Sequence, residues 1–311
     1  MSLLVTGSIG IDTVEAPWGT VSGALGGSSV YFSFAASFFC PVRLVGVVGD
    51  DCPADFLQPL LEHPAIDTAG LEVRAGSKTF RWHGRYHQDV NLRQTVKVEL
   101  NVLAEHPPAI PESFRDSAFV FLANTHPGLQ MDLLRQLPRA RLVVADTMDL
   151  WIENEPEALA ELLGVIDGLV LNDSEARQLT GLSNVIAAGR EIVEKVQARR
   201  QGRPGRRGFL VIKKGEHGSV LFADGEVCAL PGYPLAKVVD PTGAGDSFAG
   251  AMMGRLAASG DLSAAGLRRA MACGTVTASF AIEDFSLNRL RSISRERIDQ
   301  RLAEFEEMLR I

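Results

Sequence analysis

The chain has 311 residues, of which 46% are hydrophobic and 22% charged, with a formal net charge of −7. This composition is that of a globular protein with a large core, and the negative charge argues against a nucleic-acid-binding surface. Four cysteines without paired spacing exclude the usual zinc patterns and a disulfide framework, and no apolar run approaches the ~20 residues of a membrane span. We therefore expect a soluble cytoplasmic protein with no nucleic-acid or membrane partner.

Continuous apolar runs alternate with helical patterns along most of the chain. In chain order the runs are LLVTGSIGID (3–12), VRLVGVVGDD (42–51), AFVFLAN (118–124), RLVVADT (141–147), GLVLND (168–173) and GFLVIKKG (208–215). The helical patterns include VYFSFAASFF (30–39), EPEALAELLGVI (155–166) and DSEARQLTG (173–181). Buried strands that alternate with helices form parallel sheets covered on both faces. The order therefore predicts an α/β fold, a three-layer α/β/α sandwich with a mostly parallel central sheet.

Two segments follow a different pattern, in which apolar and polar residues alternate. In TFRWHGRYHQDV (79–90), Phe80, Trp82 and Tyr86 alternate with charged residues, and TVKVELNVL (95–103) alternates in the same way. Period-two alternation predicts antiparallel strands with one solvent-facing side. With GIDTVEAPWGTVS (10–22), these segments predict a small antiparallel sheet over about 11–24 and 76–104, inserted into the main domain as a lid. The three aromatic residues either add ring faces to the acceptor pocket or, as is more common at strand spacing, belong to the core. A decorative edge hairpin is the alternative to a lid.

The segment VDPTGAGDSFAGA (239–251) follows a strand predicted to end at Val238 and Val239, and it places two glycines before an acid and a helix. Glycine costs a helix about 1 kcal/mol relative to alanine, so bare backbone must serve a purpose here. N–H groups at a helix start attract phosphate, and Gly243, Ala244 and Gly245 let it approach the backbone. Asp246 would repel phosphate unless it accepts the proton of an alcohol that attacks a γ-phosphoryl group. The alternatives are an acid that complements the helix dipole and a dinucleotide-binding turn.

The stretch DPTGAGD (240–246) resembles the signature of the ribokinase-like (PfkB) carbohydrate kinases, and supporting elements follow in the family's order over nearly the whole chain. The resemblance implies one kinase domain over 1–311 that transfers the γ-phosphoryl group of ATP to a hydroxymethyl group of a sugar, assisted by Mg²⁺. It also implies that the lid closes over the substrate and can mediate a homodimer. The alternatives are a nucleoside kinase of the same family and a catalytically silent ligand-binding homologue. Activation by a monovalent cation is left open.

The same resemblance implies a role for residues that match the family's motifs. Asp246 would be the catalytic base, and the anion hole would consist of Gly243, Ala244 and Gly245. The substrate would be held by Asp12, Gly26, Gly27 and Tyr31. ATP would be bound by Asn172, Lys213, Gly215, Gly218 and Thr242. Asn172 and Glu175, from NDSE (172–175), would position Mg²⁺ through water.

Several positions depart from the family's sugar-binding pattern. Where many members follow the di-glycine with a lysine and then an asparagine, this chain has Ser28 and Tyr31. Asp146 begins the family's D-x-N element, but Met148 stands in place of its asparagine. These differences argue against specificity for ribose or fructose and leave room for a nucleoside or another furanoside. Together with Tyr31, the residues Asn124 and His126 are candidates to line the acceptor pocket.

Overall fold

The structure, a computed structural model, describes residues 1–53, 55–198 and 208–310. Its strands are β1 (Leu3–Thr6), β2 (Gly10–Ala16), β3 (Gly19–Gly26), β4 (Val42–Gly49), β5 (Ile66–Arg74), β6 (Phe80–Tyr86), β7 (Arg93–Glu99), β8 (Phe119–Leu122), β9 (Leu142–Asp146), β10 (Gly168–Asn172), β11 (Phe209–Lys213), β12 (Ser219–Ala223) and β13 (Glu226–Leu230). Its α-helices are α1 (Ser28–Ser37), α2 (Gln58–Leu61), α3 (Pro127–Arg135), α4 (Asp149–Asn154), α5 (Pro156–Leu163), α6 (Asp173–Thr180), α7 (Val185–Ala198), α8 (Ala244–Ser259), α9 (Ala264–Ala281), α10 (Asn288–Ser292) and α11 (Arg295–Met308).

The larger sheet has nine strands in the order β13-β12-β11-β10-β9-β8-β1-β4-β5. All neighbours pair in parallel except β12, which runs antiparallel to both β11 and β13. Apolar side chains lie on both faces, since Leu3 and Val5 of β1 enter one hydrophobic cluster and Leu4 enters the other. Helices α1, α8 and α9 cover the first face, and α3, α5 and α7 cover the second. The predicted three-layer α/β/α sandwich is therefore confirmed.

The carboxyl ends of three neighbouring parallel strands bring polar side chains to one edge of this sheet. Asp146 ends β9, Asn172 ends β10 and Lys213 ends β11. Asn172 and Lys213 are direct partners in the strand register. Because ligands of open α/β sheets bind outside the carboxyl ends of the strands, this edge is the expected place for a site.

Residues 231–240, before α8, belong to neither sheet, so the sequence-based prediction of a strand that ends at Val238 and Val239 is wrong. The N–H groups of Val239 and Asp240 donate to the carbonyl of Ile282, at 2.8 and 3.4 Å, at the end of α9. Pro241 follows and has no N–H with which to continue a ladder. The turn that starts α8 is thus held by the end of α9.

The second sheet, called the lid sheet here, contains the alternating segments in the order β3-β2-β6-β7. The pairs β2–β3 and β6–β7 are antiparallel, as expected, whereas β2 and β6 run parallel. They do so because β2 follows β1 and β6 follows β5, and these two strands point the same way in the larger sheet. A bulge between His83 and Gly84 shifts the β6–β7 register and pairs Tyr86 with Arg93.

Three further sequence-based points concern the chain as a whole. Glycine and proline predict a solvated loop for the arginine-rich stretch at 198–208, but 199–207 lie outside the described residues. Among the residues that are described, no helix combines the length and the apolar character needed to cross a membrane. The interpretation of 1–311 as a single kinase domain with an inserted lid stays a prediction.

Candidate active site

A cavity of about 750 Å³ lies between the edge of the larger sheet and the lid sheet. Phe80, Trp82 and Tyr86 line it from the lid. In the described part of the chain these side chains belong to no hydrophobic cluster, so of the two alternatives the pocket role is observed and the core role is wrong. The aromatic rings on this face of the lid sheet therefore border the cavity.

The turn at residues 241–245, where α8 begins, has the exposed backbone that the sequence predicts and is called the bare turn of α8 here. Gly243 adopts a left-handed conformation with φ of 74°, and a Cβ there would overlap the ring of Tyr31. A Cβ on Gly245 would lie 2.5 Å from the Nζ of Lys213. No side chain caps this helix, so N–H groups at its start face the cavity next to a lysine. This arrangement fits a phosphate group.

Asp246 and Asp146 form a pair of buried acids beside this turn. Burial raises the pKa of Asp246 to about 6, although the positive charges of Lys213 and Arg93 oppose the shift. Burial and the negative charge of Asp246 raise the pKa of Asp146 well above its usual range. Above about pH 6, Asp246 is therefore ionised and can accept a proton.

Asn172 and Glu175 form a reciprocal cap at the start of α6. The Oδ1 of Asn172 accepts from the N–H of Glu175 at 2.7 Å, and the N–H of Asn172 donates to Glu175 Oε2 at 2.8 Å. The pKa of Glu175 is raised, because the effect of burial exceeds the opposing effect of the nearby Lys213 ammonium. Both residues line the cavity.

The described residues contain no group of three or more His, Cys, Asp or Glu side chains that could hold a metal by itself. Mg²⁺ in phosphate-transfer sites commonly keeps several waters and takes one or two carboxylates plus phosphate oxygens. Glu175 and Asn172 fit that pattern, since the second carboxylate oxygen of Glu175 is not used by the cap.

Asp12, on β2, contributes an acceptor to the opposite side of the cavity. It is 4% exposed, and burial, followed by the charge of Asp240, raises its pKa to about 8. Its Oδ1 has no hydrogen-bond partner among the described residues, which leaves it available to a ligand hydroxyl.

The two glycines at the end of β3, Gly26 and Gly27, have different surroundings. Gly27 lines the cavity with φ of 101°, and a Cβ there would overlap the carbonyl of Ser8. Gly26 does not line the cavity, because the Asp12 carboxylate fills the space where its Cβ would stand. The missing side chain of Gly26 therefore makes room for Asp12 and not for the substrate, so the predicted substrate-binding role of Gly26 is wrong.

Tyr31, Asn124 and His126 all line the cavity. Tyr31 is 2% exposed and lies under Gly243. Asn124 accepts a hydrogen bond from Trp151 Nε1 at 2.8 Å and donates to the sulfur of Met148 at 3.0 Å. His126 accepts from the N–H of Gly128 at 3.0 Å, and its ring meets Trp151 edge-on at 5.3 Å. The polar side chains on this wall therefore hold Trp151 in place.

The predicted ATP-binding residues lie across the cavity from Asp12. Gly215 and Gly218 bracket a short turn after β11, with φ of 55° and 85°. A Cβ on Gly218 would overlap the carbonyl of Leu230, so this glycine lets β13 approach the turn. The Thr242 N–H donates to Asp240 Oδ1 at 2.9 Å, and its hydroxyl donates to Tyr86 at 3.3 Å.

Trp151 and Arg93 are among the cavity residues that the sequence does not identify. Trp151 lies in the six-residue helix α4, which is too short to show a periodic pattern. Arg93 lies between the two alternating segments of the sequence, where a turn is expected, yet it begins β7 opposite Tyr86. Strand alternation alone does not reveal its side, because the bulge in β6–β7 changes which residues share a face.

Comparison with known proteins agrees with the geometry. A family model described as pfkB family carbohydrate kinase matches residues 26–289. The chain belongs to this family. It is therefore a phosphotransferase with an alcohol group as acceptor, and the dinucleotide-binding alternative is excluded.

The relatives of this pfkB family kinase cover most of its length. It is 30% identical over 260 residues to the cytidine kinase of Thermococcus kodakarensis, covering 81% of this chain and 87% of that one. The nucleoside kinase of Methanocaldococcus jannaschii superposes with a TM-score of 0.76 at 19% identity, over 97% and 98% of the two chains. The nucleoside kinase of Burkholderia thailandensis in complex with inosine gives 0.75 at 18% identity, over 99% and 98%. The two solved structures share the fold of this chain.

Proposed function

We propose that this pfkB family kinase phosphorylates the hydroxymethyl group of a nucleoside, with ATP as the phosphoryl donor and Mg²⁺ as the metal. The observation that supports a nucleoside over a free sugar is the aromatic lining near Asp12. Phe80 and Trp82 lie on β6 beside Asp12 in the strand register, and Trp151 is a third aromatic side chain of the same cavity. A nucleobase offers a flat face to such rings, and stacking of a base on an aromatic side chain contributes about 1–3 kcal/mol.

The polar groups near Asp12 support the same choice. Asn124 uses its amide to hold Trp151 and Met148, so it is not free to bind several sugar hydroxyls. Asp12 keeps an unpartnered oxygen for a hydroxyl of the furanose ring. A free hexose would bring hydroxyl groups against aromatic rings, where each hydroxyl loses water without a new partner. The names of the relatives, cytidine kinase and nucleoside kinase, agree with this proposal.

Each step of the transfer then has a residue that serves it. Asp246 takes the proton of the acceptor hydroxyl as its oxygen attacks the γ-phosphorus, and the bond from that phosphorus to ADP breaks. The N–H groups of Gly243 and Gly245 and the ammonium of Lys213 stabilise the charge on the transferring group, whereas the Ala244 N–H donates to the Pro241 carbonyl at 3.2 Å. Asn172 and Glu175 would hold a Mg²⁺ ion through water, and the charge of that ion would neutralise the phosphates. Gly215, Gly218 and Thr242 would line the nucleotide, and the lid would exclude water.

The test is ADP release from Mg²⁺-ATP over a panel of nucleosides, pentoses, hexoses and phosphosugars. Nucleosides should give turnover, and Asp246→Asn should lose it by several orders of magnitude while ATP affinity stays nearly intact. Turnover with a free sugar but no nucleoside would refute the proposed acceptor. Unchanged turnover in Asp246→Asn would refute the proposed base. ATP binding without turnover in the whole panel would favour the catalytically silent homologue.

A pair of tryptophan variants tests the aromatic lining. Trp151→Leu should raise the KM for the nucleoside by tenfold or more, as expected for about 1–3 kcal/mol of lost stacking, and should leave the KM for ATP unchanged. Trp18→Leu is the matched control, because Trp18 is 58% exposed and lies outside the cavity. Equal effects of the two substitutions would contradict a base-binding role for Trp151.

Homodimerisation through the lid and activation by a monovalent cation remain predictions. The outer face of the lid sheet carries ion pairs, in which Glu15 contacts His83 at 2.7 Å and Arg85 at 2.6 Å. Sedimentation equilibrium with and without the substitution Glu15→Ala would test whether this face joins two copies. Turnover in sodium against potassium buffers would test the cation.

A further inference from the structure

The turn of the β6–β7 hairpin contacts the nucleotide side of the cavity. At the base of this turn, the Tyr86 hydroxyl accepts from the Thr242 hydroxyl at 3.3 Å, next to the bare turn of α8. At its tip, Asn91 Nδ2 donates to Glu216 Oε1 at 3.2 Å, in the short turn after β11. A Cβ on Gly215 would lie 2.5 Å from Asn91 Oδ1. The hairpin that covers the acceptor therefore also contacts both turns that would surround the phosphates.

Arg93 differs from the other arginines of this hairpin. Arg81 and Arg85 point to the outer face, where they pair with Asp51 at 2.7 Å and Glu15 at 2.6 Å. Arg93 lines the cavity, and its guanidinium has no ion pair or hydrogen bond within 1–53, 55–198 and 208–310. An unpaired arginine that faces a cavity has its charge available for an anionic ligand.

Two positive charges therefore approach the bare turn of α8 from different sides. Lys213 comes from the end of β11 in the larger sheet, and its Nζ lies beside Gly245. Arg93 comes from the lid, and its charge is close enough to lower the pKa of both Asp246 and Glu175. The guanidinium fork matches two phosphate oxygens at once, which an ammonium group does not do.

We propose that Arg93 binds the transferring phosphoryl group and that the hairpin 86–93 is a latch, so that full charge stabilisation is reached only when the lid is closed. In the reaction the bond between the γ-phosphorus and ADP breaks, the bond to the acceptor oxygen forms, and the acceptor proton passes to Asp246. Arg93 keeps its own protons and contributes charge. An open lid would leave the phosphoryl group one cation short, which disfavours wasteful transfer to water. This inference rests on phosphoryl transfer by the family and not on the nucleoside as acceptor.

The experiment compares Arg93→Gln, Arg93→Lys and Lys97→Gln. Lys97 is the matched control, because it lies on the same strand, is exposed, and pairs on the outer face with Glu99 at 3.0 Å. Arg93→Gln should lower kcat by about 10²–10³, as for loss of one donor to a developing charge, with the acceptor KM within threefold. Arg93→Lys should recover part of the loss, since it keeps the charge and loses the fork. Lys97→Gln should behave as the wild type.

A binding measurement separates this role from a structural one. With Mg²⁺ present, Arg93→Gln should weaken binding of the non-hydrolysable ATP analogue AMP-PNP by tenfold or more and leave ADP binding unchanged, as read by titration calorimetry. Thermal unfolding of all three variants should match the wild type, because Arg93 and Lys97 are exposed. Equal losses for AMP-PNP and ADP, or a kcat for Arg93→Gln within threefold of the wild type, would overturn the proposal.

Failure of this inference is distinguishable from failure of the nucleoside assignment. If a sugar is the acceptor, the kcat comparison is made with that sugar and carries the same meaning. If no compound in the panel is phosphorylated, the comparison of AMP-PNP with ADP still decides whether Arg93 reads the γ-phosphate.

Discussion

Gly245→Ala separates the catalytic use of the bare turn from its structural use. Gly245 is the second residue of α8 and has no left-handed backbone strain. The new Cβ would lie 2.5 Å from Lys213 Nζ, which is the free end of a flexible side chain and can move away. Folding should therefore tolerate the change, and alanine favours a helix by about 1 kcal/mol over glycine. The cost should fall on the phosphate site.

The expected loss follows from what the methyl group displaces. It would move the Lys213 ammonium away from the turn and fill the space where a phosphate oxygen approaches the backbone. Loss of one preorganised donor to a developing charge lowers kcat by about 10²–10³. Because two features change together, we expect the upper part of that range. ADP release should show this loss, while thermal unfolding should occur at or slightly above the wild-type temperature.

Gly243→Ala is the matched comparison. Its φ of 74° is costly for alanine, by about 1–3 kcal/mol, and its Cβ would overlap the buried Tyr31 ring. This variant should lose both stability and activity. Retention of activity by Gly245→Ala within threefold, or a drop in its unfolding temperature as large as that of Gly243→Ala, would refute the role assigned to the turn.

Other consequences concern the buried acids. With a pKa of about 6, the base Asp246 should lose its proton-accepting form as pH falls, so turnover should decline below about pH 6, and a flat profile from about pH 5 to 8 would contradict this. Burial raises the folded-state pKa of Asp12 from 3.8 to about 8, so its stabilising contribution is complete below 3.8 and is lost as pH rises through about 8. Asp12→Asn should accordingly unfold at a higher temperature than the wild type at pH 8, with a smaller difference toward pH 4. Glu175→Gln keeps an acceptor for Asn172 and should raise the Mg²⁺ requirement without loss of stability, whereas Glu175→Ala should also lose about 1 kcal/mol of capping.

The sequence predicted the layers and the phosphate turn well. Strands such as AFVFLAN and RLVVADT are continuous apolar runs, and that pattern depends on burial of each strand on both faces. The turn at 240–246 was recognisable because its glycines and acid are adjacent in the chain and carry a helix start with them. Local signals of this kind need no knowledge of which distant segments meet.

Other features required the folded chain. Gly26 makes room for the Asp12 carboxylate, which depends on the pairing of β2 with β3. Val238 and Val239 have a strand-like composition but lie outside both sheets, and the Val239 N–H donates to the Ile282 carbonyl at the end of α9. Neither outcome is visible in the spacing of residues along the sequence.

The face of the lid sheet on which Arg93 lies also could not be predicted from the sequence. Local alternation identified a strand pair in this region, but a one-residue bulge decided which side chains face the cavity. The aromatic residues Phe80 and Trp82 likewise have the pattern of core residues, but the fold places them in the wall of the cavity. Sequence alone determined the elements and the chemistry of the turn, because both arise from neighbours in the chain. The tertiary structure decided which faces meet, because burial and charge at the site come from segments far apart in sequence.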